Sequence, residues 1–183
     1  MRWSVPTGLA LTLVAVASIA VTTAAQKSTS APVAKELAVA LAQQKATVVA
    51  ARDPDQAGFY VAASYIPGVQ LLVVSARPLA PERLDQFLAA KRYDEAYASL
   101  NMASVPEGKL FVQDIRADGL APGRDEGGSF DIVYQNVVKT FMFNGDWKKQ
   151  GLTESQYRSI FEALDARYAR MLSALLSQLQ SGG

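Results

Sequence analysis

The sharpest alternation of apolar and polar positions falls in residues 58–77, GFYVAASYIPGVQLLVVSAR. Phe59, Val61, Ala63 and Tyr65 share one face of an extended segment, Pro67-Gly68 supplies a turn, and residues 69–74 return as an almost unbroken apolar run. Alternation followed by a continuous run predicts a β-hairpin whose second strand is covered on both sides. Upstream, the β-branched stretch 46–50 predicts a strand that joins the hairpin through the turn-forming segment 52–58. Before it, Leu37, Ala38 and Leu41 lie at helical spacing and predict an amphipathic helix over 33–44.

Beyond the hairpin, Pro78 and Pro81 end the sheet pattern, because proline cannot donate to a ladder. The stripe Leu84, Phe87, Leu88 and the differently phased stripe Tyr93, Tyr97, Leu100 predict two short helices with a bend at 90–92. Residues 101–108 read as a loop. Residues 109–115 predict a strand with Leu110, Val112 and Asp114 on one face, ending at Asp118-Gly119. A Gly-rich polar loop follows over 120–129. The next strand pattern, 130–143, slips phase near Asn136, which predicts two strands or one bulged strand, closed by Asn144-Gly145.

The last pattern is the longest. Thr153 with Gln156 forms a capping box, and Leu152 with Tyr157 a hydrophobic staple. Behind them Tyr157, Ile160, Phe161, Leu164, Tyr168, Met171, Leu172, Leu175 and Leu179 keep one apolar face. A helix of about 27 residues is roughly 40 Å long. That exceeds one sheet face, so its C-terminal end either projects, offering a route to a homo-oligomer, or frays over 178–183. Together these elements predict an α+β fold: an antiparallel sheet, or a small open or split barrel, of five to six strands, covered by helices that include the long C-terminal one.

Composition adds a compartment. Residues 1–25 have a basic start at Arg2, an apolar stretch over 8–21 and small residues before Gln26, the layout of a cleaved signal peptide. The apolar stretch of about 14 residues is short of the ~20 that span a bilayer. Residues 26–32 then form a flexible polar linker and 33–183 a single domain, exported to the periplasm or outside the cell. The leader holds one basic residue, so the remainder carries equal numbers of basic and acidic side chains. Such balance argues against nucleic acid and against stable attachment to a membrane surface.

The chain has no cysteine and no histidine, which removes Ser-His-Asp and Cys-His machinery, ordinary zinc sites and histidine-ligated haem. Asp114, Asp118, Asp125, Glu126 and Asp131 cluster around the Gly-rich loop. Carboxylates of this kind serve hard cations or an acid-base pair, but their spacing matches no calcium loop and no metal site is expected. The glycines of 122–128 lack the ending of a phosphate-binding loop. Trp147, beside a turn, is the best single aromatic candidate for binding. These absences favour a non-enzymatic domain that binds a small molecule or an envelope protein.

The order helix, strand, turn, strand, Pro-Gly turn, strand (GVQLLVVSAR), helix, strands and final helix resembles the FMN-binding split barrel of the pyridoxamine-phosphate-oxidase type, across nearly the whole mature chain. The resemblance implies a flavin-binding protein, with oxidoreductase activity as the alternative function. It also implies that basic and hydroxyl residues near strand ends hold the FMN phosphate. Ser75 and Arg77, ending the third strand, are the residues in that position.

Overall fold

The computed structural model describes residues 28–108, 110–123, 128–135, 139–142, 148–149 and 151–181. The leader, the Asn144-Gly145 turn, Trp147, Asp125 and Glu126 lie outside them. The elements run α1 (Ala31–Gln43), β1 (Val48–Arg52), β2 (Tyr60–Ile66), β3 (Gln70–Pro78), α2 (Pro81–Ala89), α3 (Tyr93–Ala98) and β4 (Leu100–Asn101). After a single 3-10 turn at Met102–Ser104 come α4 (Val105–Gly108), β5 (Phe111–Ile115), β6 (Ile132–Gln135), β7 (Lys139–Met142) and α5 (Glu154–Gln180). The fold is α+β.

The strands form an antiparallel sheet in the order β1-β2-β3-β5-β6-β7, with two-residue β4 pairing the end of β3. The sheet is open, with β1 and β7 at its edges. Register across five strands brings Val49, Ala63, Val73, Val112 and Val133 into one row, and all five are fully buried. Such a row of β-branched and small side chains is what a helix-covered face needs. The same face carries Val61, Ser75, Leu71 and Asp114, and α1 and α5 lie over it. Residue 101 does not begin a plain loop: β4, the 3-10 turn and α4 occupy that stretch.

Helix α5 starts as its sequence dictates. The Thr153 hydroxyl accepts from the Gln156 amide at 3.2 Å, and the Gln156 side chain accepts from the Thr153 amide at 2.9 Å. Its apolar stripe is buried as far as Leu179, 2% exposed. The end of the helix therefore packs instead of projecting: the Tyr93 hydroxyl donates to the Gln178 carbonyl at 3.0 Å, and the Gln178 amide group to the Leu88 carbonyl at 3.3 Å. The physical reason is that α2 and α3 fold past the β1 edge and meet α5 there, which gives the extra turns of helix something to cover.

Helices α2 and α3 address the opposite sheet face, where the Tyr60 hydroxyl donates to Asp85 of α2 at 2.9 Å. They bury Tyr60, Ala62, Val74 and Ala76; among the described residues, no helix covers the other half of that face. There the row Val48, Ser64, Leu72, Gln113, Ile132 and the row Ile66, Gln70, Ile115 are half-buried or exposed.

Candidate functional site

Most of the buried polar side chains described fall into two networks, and the first lies at the rim of β3. Ser75, on the helix-covered face, is fully buried and donates its hydroxyl to Asp53 Oδ2 at 2.5 Å. The same oxygen accepts from Arg167 of α5 at 3.2 Å, and Asp53 Oδ1 caps the following turn by accepting from the Asp55 amide at 2.8 Å. Asp55 in turn takes a forked contact from Arg170, at 2.8 to 3.1 Å. The network fastens the β1–β2 connection to α5.

Arg77 stands two residues beyond Ser75 and is exposed. Its guanidinium pairs with Glu107 at 3.0 Å and lies 4.9 Å from the centre of the Phe59 ring, while its amide donates to the Ser104 hydroxyl. The two residues that the flavin resemblance implies for the phosphate differ in their surroundings. The Ser75 hydroxyl is buried and already donated to a carboxylate, and an anion at Arg77 would have to displace Glu107. Sequence reasoning placed both at the strand end; it had no signal that Asp53, across two strands, would claim the serine.

The second network joins three carboxyls. Asp114 ends the buried alternation of β5 and accepts from the Asp118 and Gly119 amides, both at 3.0 Å, and from the Tyr168 hydroxyl at 3.0 Å. Asp131, just before β6, accepts from the Ile115 amide at 2.9 Å and the Ala121 amide at 2.9 Å, closing the β5–β6 loop on itself. Asp165, one turn before Tyr168 on α5, accepts from the Ser28 hydroxyl, the Thr29 and Ser30 amides and the Ser30 hydroxyl, at 2.5 to 3.2 Å.

Residues 28–32 are therefore not a free linker. Ser30 is fully buried, α1 begins at Ala31, and the Asp165 carboxylate sits at the N-terminus of that helix, where negative charge is favoured. The Ser30 hydroxyl also accepts from the Leu120 amide at 2.9 Å, so the strap, the β5–β6 loop and α5 meet at one point. Burial and the neighbouring Asp131 push the Asp114 carboxyl up to about 8, against the pull of the Tyr168 hydroxyl and the Gly119 amide. Burial and Asp114 push the Tyr168 phenol well above its ordinary value.

A raised carboxyl beside a second carboxyl is also how acid-base sites are built. Here, however, Asp114 is fully buried and Asp131 is 5% exposed, and their oxygens are occupied by backbone amides that shape a loop. Among the described residues, no group of three or more acidic side chains could hold a metal ion. Of the five carboxylates clustered in sequence, Asp114, Asp118 and Asp131 do converge, around the loop and not around a cleft. Asp165 and Tyr168 were not singled out as polar partners from sequence, although an aspartate within the apolar stripe of α5, between Leu164 and Tyr168, was a visible signal.

The open half of the sheet is a further candidate among the described residues. Ile66 is 47% exposed, Val69 at the hairpin turn 52% and Tyr134 46%, with Tyr134 edge-on to Phe111 at 5.2 Å between ring centres. The Gln113 amide group donates to the Gln70 side chain at 2.6 Å across two strands. No charged residue belongs to the two rows that make up this surface. Comparison of the chain with protein-family models, with curated proteins and with solved structures finds no match.

Proposed function

We propose that the protein is a non-enzymatic exported domain of the bacterial envelope that takes a protein partner on the open half of its sheet. The observation that carries this reading is the surface itself: apolar, amide and hydroxyl side chains on an open antiparallel face, uncharged in its two rows, with Ile66, Val69 and Tyr134 exposed. An open sheet face with an exposed aromatic suits contact with another protein surface better than enclosure of a small molecule. The buried carboxyls support the reading from the other side, since each is used to shape backbone. Export rests on the pattern of residues 1–25, and the mass of the mature protein is expected to correspond to a chain beginning at Gln26.

Photo-crosslinking in exporting cells tests the proposal. A photoreactive residue at Tyr134 or Val69 is expected to give a discrete protein adduct, while one at Arg158, on the solvent side of α5, gives none. No adduct from folded, exported protein, or equal labelling at all three positions, would overturn it. The flavin reading has less support because Ser75 and Arg77 are engaged elsewhere; quenching of FMN fluorescence by the mature protein at stoichiometric concentrations would revive it.

A further inference from the structure

We propose that Asp114, with Asp131 and Tyr168, is a proton-sensitive latch that holds the β5–β6 loop on α5. The connections form a closed circuit. Tyr168 donates to Asp114, and Asp114 accepts from the Gly119 amide. The neighbouring Leu120 amide donates to Ser30, whose hydroxyl donates to Asp165, one turn from Tyr168 on the same helix. Opening the Asp114 link releases the loop from α5, while Asp165 still holds the strap directly.

The loop has reason to open. Arg116, Ala117 and Gly119 have φ of 70°, 55° and 88°, a left-handed run that non-glycine residues adopt only when their surroundings hold them there. What holds it is the pair Asp114 and Asp131, which between them accept four backbone amides of the segment 115–121. The titratable groups facing Asp114 are Asp131 and Asp118 from the loop and Tyr168 from α5, with Asp165 acting on Tyr168 in turn; Arg116, in the same turn, is exposed. A second negative charge in this enclosure is opposed by burial and by Asp131.

The sign follows from linkage. In the closed hub Asp114 holds its proton up to about pH 8, whereas in the unfolded chain an aspartate loses it near pH ~4. The stabilisation is full below the unfolded value and is lost as pH rises through the folded one. The unfolding constant therefore increases by roughly tenfold per pH unit in the window between them. If opening of the hub alone exposes Asp114 to water, the same dependence appears locally, with the loop released first.

The test is urea unfolding of the mature protein from pH 5 to 9, combined with hydrogen exchange of peptides covering 28–37 and 110–121, corrected for intrinsic rates. The wild type is expected to lose stability as pH rises to about 8, with the 110–121 peptide losing protection ahead of the 28–37 peptide and of the β2–β3 hairpin. Asp114→Asn is expected to flatten both trends, and a buried carboxylic-acid C=O stretch in the infrared at pH 7 is expected to vanish with it. Should that variant fail to fold, Tyr168→Phe serves: it removes a hydrogen bond that pulls the Asp114 carboxyl down, so the alkaline transition moves to higher pH. A wild type whose stability is flat or rises between pH 5 and 8, or an unshifted transition in Tyr168→Phe, overturns the proposal.

Discussion

Replacing Gly119 by alanine separates two costs that the structure makes distinct. Gly119 has φ of +88°, and a Cβ built there lies 2.4 Å from both the nitrogen and the Cα of Ala31. The left-handed conformation alone costs a side chain about 1–2 kcal/mol. The contact adds more, because ordinary carbon contacts lie at roughly 3.5–4.0 Å and both neighbours are backbone that no rotamer change can move aside. Loop and strap must part by more than about 1 Å, enough to break the Leu120–Ser30 bond, worth about 1 kcal/mol. Overpacking of this kind costs about 1–3 kcal/mol, so the total is about 3–6 kcal/mol.

Gly68→Ala is the matched control. That glycine has φ of +72° with nothing within 4 Å of its Cβ position, so only the first cost, about 1–2 kcal/mol, applies. Urea denaturation with a common slope measures the difference as a change in midpoint; in thermal melts each kcal/mol shifts Tm by roughly 2–4 °C for a domain of this size. If Gly119→Ala falls within about 0.5 kcal/mol of Gly68→Ala, inside the scatter of ordinary surface changes, the close packing of loop on strap is refuted.

Asp165→Ala leaves two amides and two hydroxyls of the strap without their acceptor; a loss of about 2–4 kcal/mol is expected, with hydrogen exchange at 28–31 rising before that of α5. Thr153→Ala removes the capping box of α5 and costs about 1 kcal/mol, measurable by denaturant unfolding followed by circular dichroism. Asp53→Ala strands the buried Ser75 hydroxyl and is expected to cost about 2–3 kcal/mol, whereas Arg170→Ala, which breaks a largely exposed ion pair, changes stability by less than about 1 kcal/mol and by less still in high salt.

Local periodicity determined a good deal of this protein. The hairpin about Pro67-Gly68, the bend between α2 and α3, the division of 130–143 into β6 and β7 and the capped start of α5 all follow from rules that act over a few residues: strand alternation, the 3.6-residue stripe, proline's missing donor and the reach of a side chain to its own helix end. Asp114 could even be placed on the inward face of β5 from its spacing with Leu110 and Val112. What it would meet there could not, since Asp114 and Tyr168 lie 54 residues apart, and the partners of Asp165 lie some 135 residues upstream of it.

The same separation explains the strap. Residues 28–30 are polar and carry no periodicity, so alone they resemble a tether, and only a buried carboxylate offered by a distant helix makes their amides and hydroxyls worth ordering. The helix end shows the converse: α5 looks too long for a sheet, until α2 and α3 fold past the β1 edge to meet Leu179 and Gln178. A chain writes its elements in near neighbours, but a buried polar group must be matched by whatever tertiary packing brings within hydrogen-bond reach. That is why sequence determined the elements, and tertiary structure alone decided that Asp114 and Asp131 are a structural hub and that, among the described residues, half of one sheet face is left uncovered.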